Sequence, residues 1–473
     1  MSITLYTPAT GFPDLEAKIA LGLARVGIEA GCEPNIISQK GFYQIELEQF
    51  TPDKFNQTFL MLLKRLLSSD RFFDLGVKTK DKTKYSTTEE IITRMQTLLQ
   101  NNGIEQFYPL NQIIDFNFKK DAFCGHKKVS KFGGSSGLIL LSSFHAGKPY
   151  FRDKLYDKFN LNLCEICGYL AVLGLNTFGF VVQMGTGKNR KYIIALPIPK
   201  QKLETGMLQI LMSLQKTLHN FWLSDLLPLR VFFIGLLAKV PSISYVMNEL
   251  QLHFHLTMVS KDNRGDTIVE QTELVNCINL SKFISASSYN NATVESLLGK
   301  SKEKPGILSL IELTTAIEKY EKDSLPKFAR FYIQETSTDD WTNLLYPQTT
   351  RYLLKEVAMI KKEFIENKAI LSLARSLRYF IKERKYNYAD DIRNARKDSN
   401  KIEETIVKML REAELRRVKQ EEDKKAGKKI DNWIHIPNVA DVQEVIRLEN
   451  EDFESTKLAL IMLAFSFPTI DEK

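Results

Sequence analysis

The segment LNLCEICGYLAVLGL occupies residues 161–175, is largely apolar and carries the pair Cys164 and Cys167. The apolar spacing predicts a helix over 163–175. Two segments rich in Lys and Gly flank it, FNFKKDAFCGHKKVSKFGGSSG at 116–137 and MGTGKNRK at 184–191. Gly lets the backbone approach a ligand closely, and Lys supplies positive charge that can meet phosphate. The centre of the chain therefore predicts a nucleic-acid-binding face carried by an α/β body.

Outward from this segment, the first 300 residues alternate between helical and strand patterns. Helices are predicted over 14–31, 51–67, 87–100, 202–222 and 226–240. Strands are predicted at 2–5, as two short strands within 35–47, and as the antiparallel pairs 178–183 with 191–196 and 250–259 with 266–278.

After residue 280 the pattern is helical throughout, without a strong strand signal. The sequence therefore predicts an α+β fold: a mixed α/β N-terminal part followed by an all-helical C-terminal bundle. The polar segment SKEKPG at 301–306 is the predicted boundary. It separates an α/β domain, residues 1–300, from a helical bundle domain, residues 307–473.

Composition limits the classes of protein to consider. The chain has 473 residues, 44% of them hydrophobic, and 65 Lys and Arg against 57 Asp and Glu, so an anionic partner is favoured. The apolar run at 226–240 is interrupted by Pro228, Arg230 and Lys239 and falls short of the roughly 18 residues that span a bilayer. Five cysteines in a chain of this length do not predict a disulfide framework. These features, with an N-terminus unlike a signal peptide, predict a cytoplasmic protein without a membrane partner.

Positive charge is concentrated in the predicted bundle. Residues 351–429 hold 23 Lys and Arg against 14 Asp and Glu, whereas 430–473 hold 3 against 9. Within 374–397, tyrosines interleave with the cations Arg375, Arg378, Lys382, Lys385, Arg393 and Arg396. Basic residues with interleaved aromatics suit contact with a single strand. The alternative is that the tyrosines lie in the core and the charges pair along solvated helix faces.

Four residues predict a structural zinc site. Cys124 and His126 form a C-x-H pair, and Cys164 and Cys167 form a C-x-x-C pair. Three thiolates and one imidazole are a tetrahedral zinc set, and such a site would join the basic loop to the apolar segment. The alternative is that the C-x-x-C holds two small core residues in a helix.

No catalytic motif is predicted. Gly187 and the Lys after it do not form a phosphate loop, because Val182 stands where that loop has its first Gly and Asn189 where it has Ser or Thr. His253 and His255 share one face of a predicted strand, and the favoured interpretation is two histidines satisfied by neighbouring groups rather than a metal pair.

Three segments resemble a known family: GFPDLEAKIALGLARVGIEAG at 11–31, LCEICGYLAVLGL at 163–175 and YADDIRNARKDSNKIEETIVKMLREAELRR at 388–417. They are similar to the large subunit of archaeal type I-A CRISPR effector complexes, the Cas-eight family of Cascade. The resemblance implies a non-catalytic subunit that works with a guide RNA and the other Cascade subunits. It also implies recognition of the short motif (PAM) beside a double-stranded DNA target, help in opening that duplex to form an R-loop, and recruitment of the helicase-nuclease.

The charge pattern, rather than a family signature, supplies the candidate contact residues. Two basic loops are predicted to hold the flanking duplex, through Lys119, Lys120, Lys127, Lys128, Lys131, Gly133, Gly134, Lys188, Arg190 and Lys191. The run that contains Arg375, Arg378, Lys382, Arg393 and Arg396 is predicted to guide an unwound strand.

Two other functions remain open from the sequence. One is a structural scaffold that binds protein through its charged helices and acidic C-terminal segment. The other is a zinc-dependent nucleic-acid hydrolase that uses Cys164, Cys167 and His126, although no general base accompanies them.

Overall fold

The computed structural model describes residues 1–68, 88–102, 107, 164–186, 190–218, 222–223, 227–250, 252–261, 267–298, 306–397 and 400–468. Two compact units divide the chain. The first contains residues 1–229 and 249–278, and the second contains residues 230–248 and 279–473.

The first unit is built from helices and two small sheets. Its helices are α1 (Pro13–Glu29), α2 (Pro52–Ser68), α3 (Thr88–Asn102), α4 (Glu165–Phe178) and α5 (Thr205–Leu218). Its strands are β1 (Ile3–Tyr6), β2 (Glu33–Gln39), β3 (Phe42–Glu48), β4 (Phe180–Met184), β5 (Lys191–Ile198), β6 (Trp222–Leu223), β7 (His253–Lys261) and β8 (Thr267–Asn276).

Strand order follows the predicted hairpins. The first sheet has the order β1-β3-β2 and is antiparallel throughout. The second has the order β6-β4-β5-β7-β8. The predicted antiparallel pairs β4–β5 and β7–β8 are confirmed, and the short strand β6, which the sequence did not predict, pairs in parallel with β4.

Helices α1 and α4 pack against each other at the closest approach in the first unit. A Cβ atom on Gly22 would lie 2.1 Å from the Leu170 carbonyl oxygen, and one on Gly174 would lie 2.0 Å from the Lys18 carbonyl oxygen. Two backbones can come this near only where neither carries a side chain. The glycines of the two helical patterns therefore set the crossing, and almost every side chain of α1 from Asp14 to Ala24 is buried.

The second unit is helical. Its helices are α6 (Leu229–Lys239), α7 (Pro241–Leu250), α8 (Cys277–Ala286), α9 (Ser288–Leu297), α10 (Ile307–Lys319), α11 (Ser324–Thr336), α12 (Pro347–Tyr352), α13 (Lys362–Ile365), α14 (Lys368–Lys382), α15 (Asn387–Arg393), α16 (Lys401–Lys425), α17 (Val439–Glu451) and α18 (Phe453–Ala464). A π-helical turn, Leu353–Val357, follows α12. Helix α14 packs against α17 and α18, and α15 packs against α16.

The predicted fold class is confirmed: a mixed α/β N-terminal part precedes a largely helical C-terminal part. Among the described residues after 280, the β pairing is one isolated bridge between Leu345 and Ser466. The units, however, divide the chain at 278 rather than near 301–306, and residues 230–248 fall in the helical unit. Helix α6 lies almost entirely within this segment, and its side chains from Val231 to Ala238 are buried.

Within the part of the chain that the structure describes, no single helix is long and apolar enough to cross a membrane. The pair α6 and α7 meets that length and composition only jointly, and the two helices are bent by 113° at their junction.

The crossing of α1 and α4 gives the first testable prediction. Replacing Gly174 with Ala places a Cβ inside the van der Waals radius of the Lys18 carbonyl oxygen, so the helices must separate. We expect a loss of about 1–3 kcal/mol in the free energy of unfolding. Thermal denaturation followed by circular dichroism measures it.

Gly206 in α5 supplies the matched control, because a Cβ there meets no atom within 4 Å. Gly206→Ala should leave the melting temperature unchanged or slightly raised, since Ala favours helix. Equal melting temperatures for Gly174→Ala and Gly206→Ala would contradict the close crossing.

Candidate nucleic-acid interface

The predicted basic run, residues 374–397, forms most of α14, the turn after it and α15. Several cations of the run form hydrogen bonds or ion pairs with other residues of the chain. Arg384 donates hydrogen bonds to the carbonyl oxygens of Thr338 and Asp339, and Arg393 pairs with Asp390 at 3.2 Å. Apart from Arg384, the exposed cations of the run are Arg375, Lys382, Arg396 and Lys397.

Arg378 does not reach the surface that the sequence predicted for it. Its side chain is 4% exposed, and Nη2 donates a hydrogen bond to the Leu463 carbonyl oxygen at 2.8 Å. The carbonyl belongs to the last turn of α18, where the helix leaves acceptors unpaired. Arg378 therefore joins α14 to α18, and it is removed from the candidate interface.

The tyrosines of the run lie in the protein interior or against other side chains, as the alternative to single-strand contact predicted. Tyr379 and Tyr388 are buried, and both pack edge-on against Phe380. Tyr386 is covered by the guanidinium of Arg330, whose Cζ lies 3.4 Å from the ring centroid. These rings stabilise the bundle and are not placed to stack on bases.

Glu412 of α16 connects that helix to the run. It accepts hydrogen bonds from Lys385 Nζ at 2.8 Å, from the Tyr388 hydroxyl at 2.6 Å and from Arg416 Nη2 at 3.2 Å. The hydrogen bond from Lys385, followed by that from Tyr388, lowers the pKa of Glu412 to about 2. One carboxylate thus holds α15 and the turn before it against α16.

An exposed tryptophan, Trp433, lies beside α16, and the sequence patterns did not indicate it. Trp433 follows α16 in the return segment, residues 426–438, and is 38% exposed. The Arg417 Cζ atom lies 4.6 Å from the centre of its ring, and the Lys424 Nζ atom lies 5.5 Å from it. An aromatic ring with two cations near its face combines stacking surface with positive charge.

Hydrogen bonds from α16 fix the return segment. Gln420 Nε2 donates to the Asn432 carbonyl oxygen at 2.8 Å, and its Oε1 accepts from the Ile434 backbone N–H at 3.1 Å. Arg417 Nη1 donates to the Ile434 carbonyl oxygen at 3.3 Å. The backbone on both sides of Trp433 is therefore held against α16.

His435 brings the exposed end of α14 to the same surface. Its ring is hydrogen bonded to Ser372 at 2.8 Å. Burial, followed by the positive charge of Arg375, lowers the pKa of His435, with Arg417 adding to the effect and Asp441 opposing it. The Ser376 hydroxyl also donates to the His435 carbonyl oxygen at 2.5 Å, so Arg375, which lies between Ser372 and Ser376 on α14, is beside the return segment. We call Arg375, Arg417, Lys424, Trp433 and His435 the Trp433 patch.

Exposed cations from Arg411 onward continue the positive surface along α16. The buried side chains of this helix end at Ala413. Arg411, Lys419 and Lys425 are exposed and form no ion pair with another described residue. Glu421 forms an ion pair with Arg417 at 3.1 Å, and Asp423 forms one with Lys428 at 2.7 Å.

The two predicted basic loops lie largely outside the described residues. This holds for Lys119, Lys120, Lys127, Lys128, Lys131, Gly133, Gly134 and Lys188. Arg190 is exposed before β5, and Lys191 pairs with Glu270 of β8, so its charge is matched within the fold.

Two of the four predicted zinc ligands are placed by the structure. Cys164 is the N-cap of α4, and its Sγ accepts a hydrogen bond from the Cys167 backbone N–H at 3.4 Å. Both thiols are buried. Cys124 and His126 lie outside the described residues, within which no cluster of three or more metal-ligating side chains occurs. The zinc site stays a prediction, and metal analysis of the purified protein tests it.

A group of buried charges occupies the core of the first unit. Lys18 Nζ lies 3.5 Å from Asp14 Oδ2, and both side chains are almost fully buried. His255 is buried close to this pair: burial lowers its pKa, Asp14 opposes that change and Lys18 adds to it. His253 is only half-buried. The surroundings of His255 are those of a core histidine beside an ion pair.

No protein-family model matches the chain, and no curated protein matches it.

Glu412 gives the second testable prediction. Its folded-state pKa lies below the ordinary value of 4.5, so its contribution is complete above pH 4.5 and is lost as pH falls toward 2. We expect Glu412→Gln to lower stability at pH 7 by about 1 kcal/mol, a modest value because solvent screens a partly exposed pair. The deficit should stay constant above pH 4.5 and shrink as the pH falls from 4.5 toward 2, measured by thermal denaturation.

Glu414→Gln is the matched control, since Glu414 is exposed on the same helix and pairs with no described cation. It should leave the melting temperature unchanged across this pH range. If the stability deficit of Glu412→Gln did not change with pH, the packing of the Glu412 side chain, and not its charge, would account for its contribution.

Proposed function

We propose that this chain is a non-catalytic, nucleic-acid-binding subunit, and that it serves as the large subunit of a type I-A CRISPR surveillance complex. In that role it recognises the motif beside the target, helps to open the duplex and recruits the helicase-nuclease. The observation that carries nucleic-acid binding is the Trp433 patch, where Arg417 and Lys424 lie over an exposed aromatic ring and Arg375 lies beside His435 of the same return segment. The more specific assignment rests on the resemblance of the three sequence segments.

Charge favours nucleic acid over a neutral partner. Residues 351–429 carry nine more positive than negative charges, and Arg411, Lys419 and Lys425 of this segment are exposed along α16. A positive path along a rigid helix attracts a phosphate backbone and releases its counterions. Such contacts position a strand without reading its bases, so sequence can be read by the guide RNA instead.

A protein-binding scaffold is the second candidate function, and one observation favours it. Leu415 and Val418, one turn apart on α16, are 73% and 56% exposed. Apolar side chains at this spacing form a stripe of the kind that receives a partner helix. The acidic segment after residue 430 would then repel nucleic acid and attract basic protein surfaces.

Reconstitution tests the assignment as a large subunit. A guide-RNA complex is prepared with and without this chain, and its binding to duplex targets with an intact or a scrambled flanking sequence is measured. We expect tight binding only when both the chain and the intact flank are present. Equal binding with and without the chain would remove the CRISPR assignment and favour the scaffold.

Charge reversal tests the Trp433 patch directly. Arg375→Glu should weaken binding of the full chain to nucleic acid and make the log–log salt dependence shallower by about 0.7–0.9 per lost phosphate contact. Lys327→Glu is the control, because Lys327 is an exposed lysine on α11. Equal effects of the two substitutions would indicate a general charge effect without a defined interface.

A further inference from the structure

We infer that the Trp433 patch is a stacking site for one unpaired base of a single strand, with the neighbouring cations holding the phosphates on either side. The inference rests on the proposed nucleic-acid-binding function and makes it more specific. It assigns the patch to a single strand, whereas a duplex would present only its backbone there.

Exposure and rigidity distinguish Trp433 from the tyrosines of the basic run. Tyr379 and Tyr388 are buried, so no base can reach their faces. Trp433 keeps 38% of its surface exposed, while Gln420 fixes the backbone on both sides of it. An aromatic ring that is partly exposed but already ordered loses little conformational entropy when a base stacks on it.

The cations around the ring differ in how firmly they are held. Arg417 is fixed by Glu421 at 3.1 Å and by the Ile434 carbonyl oxygen at 3.3 Å. Lys424 lies farther from the ring, at 5.5 Å, and its side chain is exposed. Lys424 can therefore leave the ring for a phosphate when a base arrives, while Arg417 keeps the ring in position.

Two groups of cations accompany the ring. Arg375 lies on α14, whose Ser372 and Ser376 contact His435, and Lys424 and Lys425 lie at the end of α16. We expect the phosphates next to a stacked base to meet these cations. A base paired within a duplex keeps its faces stacked on its neighbours, so only an unpaired base can use the ring.

The test compares single-strand and duplex binding by the full-length chain. The probes are a labelled oligo-dT strand of about 16 nucleotides, an oligo-U strand of the same length and a duplex of matched length. Trp433→Leu should lower single-strand affinity about tenfold, as expected for the loss of about 1–3 kcal/mol per stacked base. Trp433→Phe, which keeps an aromatic ring, should recover most of that affinity, and duplex affinity should change little.

Trp341→Leu is the matched control. Trp341 is 60% exposed in the same unit, and its nearest ring partner is Phe467, with centroids 6.5 Å apart. This substitution should leave single-strand binding unchanged. Thermal denaturation of each variant verifies that all of them fold.

The outcomes separate the stacking site from the proposed function. If Trp433→Leu has no effect while Arg375→Glu weakens binding, the stacking site is wrong and nucleic-acid binding stands. If Trp433→Leu weakens single-strand and duplex binding equally, the ring supports a backbone contact and the inference is overturned. If the wild-type chain binds none of the probes, alone or in the reconstituted complex, the proposed function itself fails. Differences between oligo-dT and oligo-U tell whether the strand is DNA or RNA.

Discussion

The first unit depends on the contact between the backbones of α1 and α4 at Gly22 and Gly174. Two helices at this distance exclude all side chains from their crossing, so the rest of α1 is enclosed by its neighbours. This enclosure also buries the Asp14–Lys18 ion pair. A buried pair of charges is tolerated because each compensates the desolvation of the other, and it favours one arrangement of the core over others.

The candidate interface depends on a different kind of constraint, which is a set of polar contacts made by α16. Glu412 holds the turn before α15, and Gln420 holds the return segment. The first half of α16 buries a largely apolar face, but after Ala413 the helix has no buried side chain, so polar contacts such as those of Gln420 connect this highly charged part to the rest of the unit. Polar anchoring therefore places an exposed ring and several cations on one surface, and leaves the end of the helix accessible.

Periodicity explains why many elements could be predicted from the sequence. Helices α1, α2 and α4 and the hairpins β4–β5 and β7–β8 have local patterns and turn residues that specify them. Strand β6 has two residues and a parallel partner distant in sequence, so no local pattern predicts it. The sequence also could not predict which basic residues are exposed. Arg375 and Arg378 are three residues apart, yet Arg375 is exposed and Arg378 is buried against α18.

The sequence by itself determined the fold class and the concentration of positive charge in the C-terminal half, because both follow from residue type and spacing. Only the tertiary structure decided which cations and aromatic rings share a surface. Trp433 lies 58 residues from Arg375 in the chain, and hydrogen bonds from Ser372 of α14 and Gln420 of α16 both hold the return segment that carries Trp433. Long-range hydrogen bonds of this kind depend on which helix faces meet, and spacing within a single segment does not encode that.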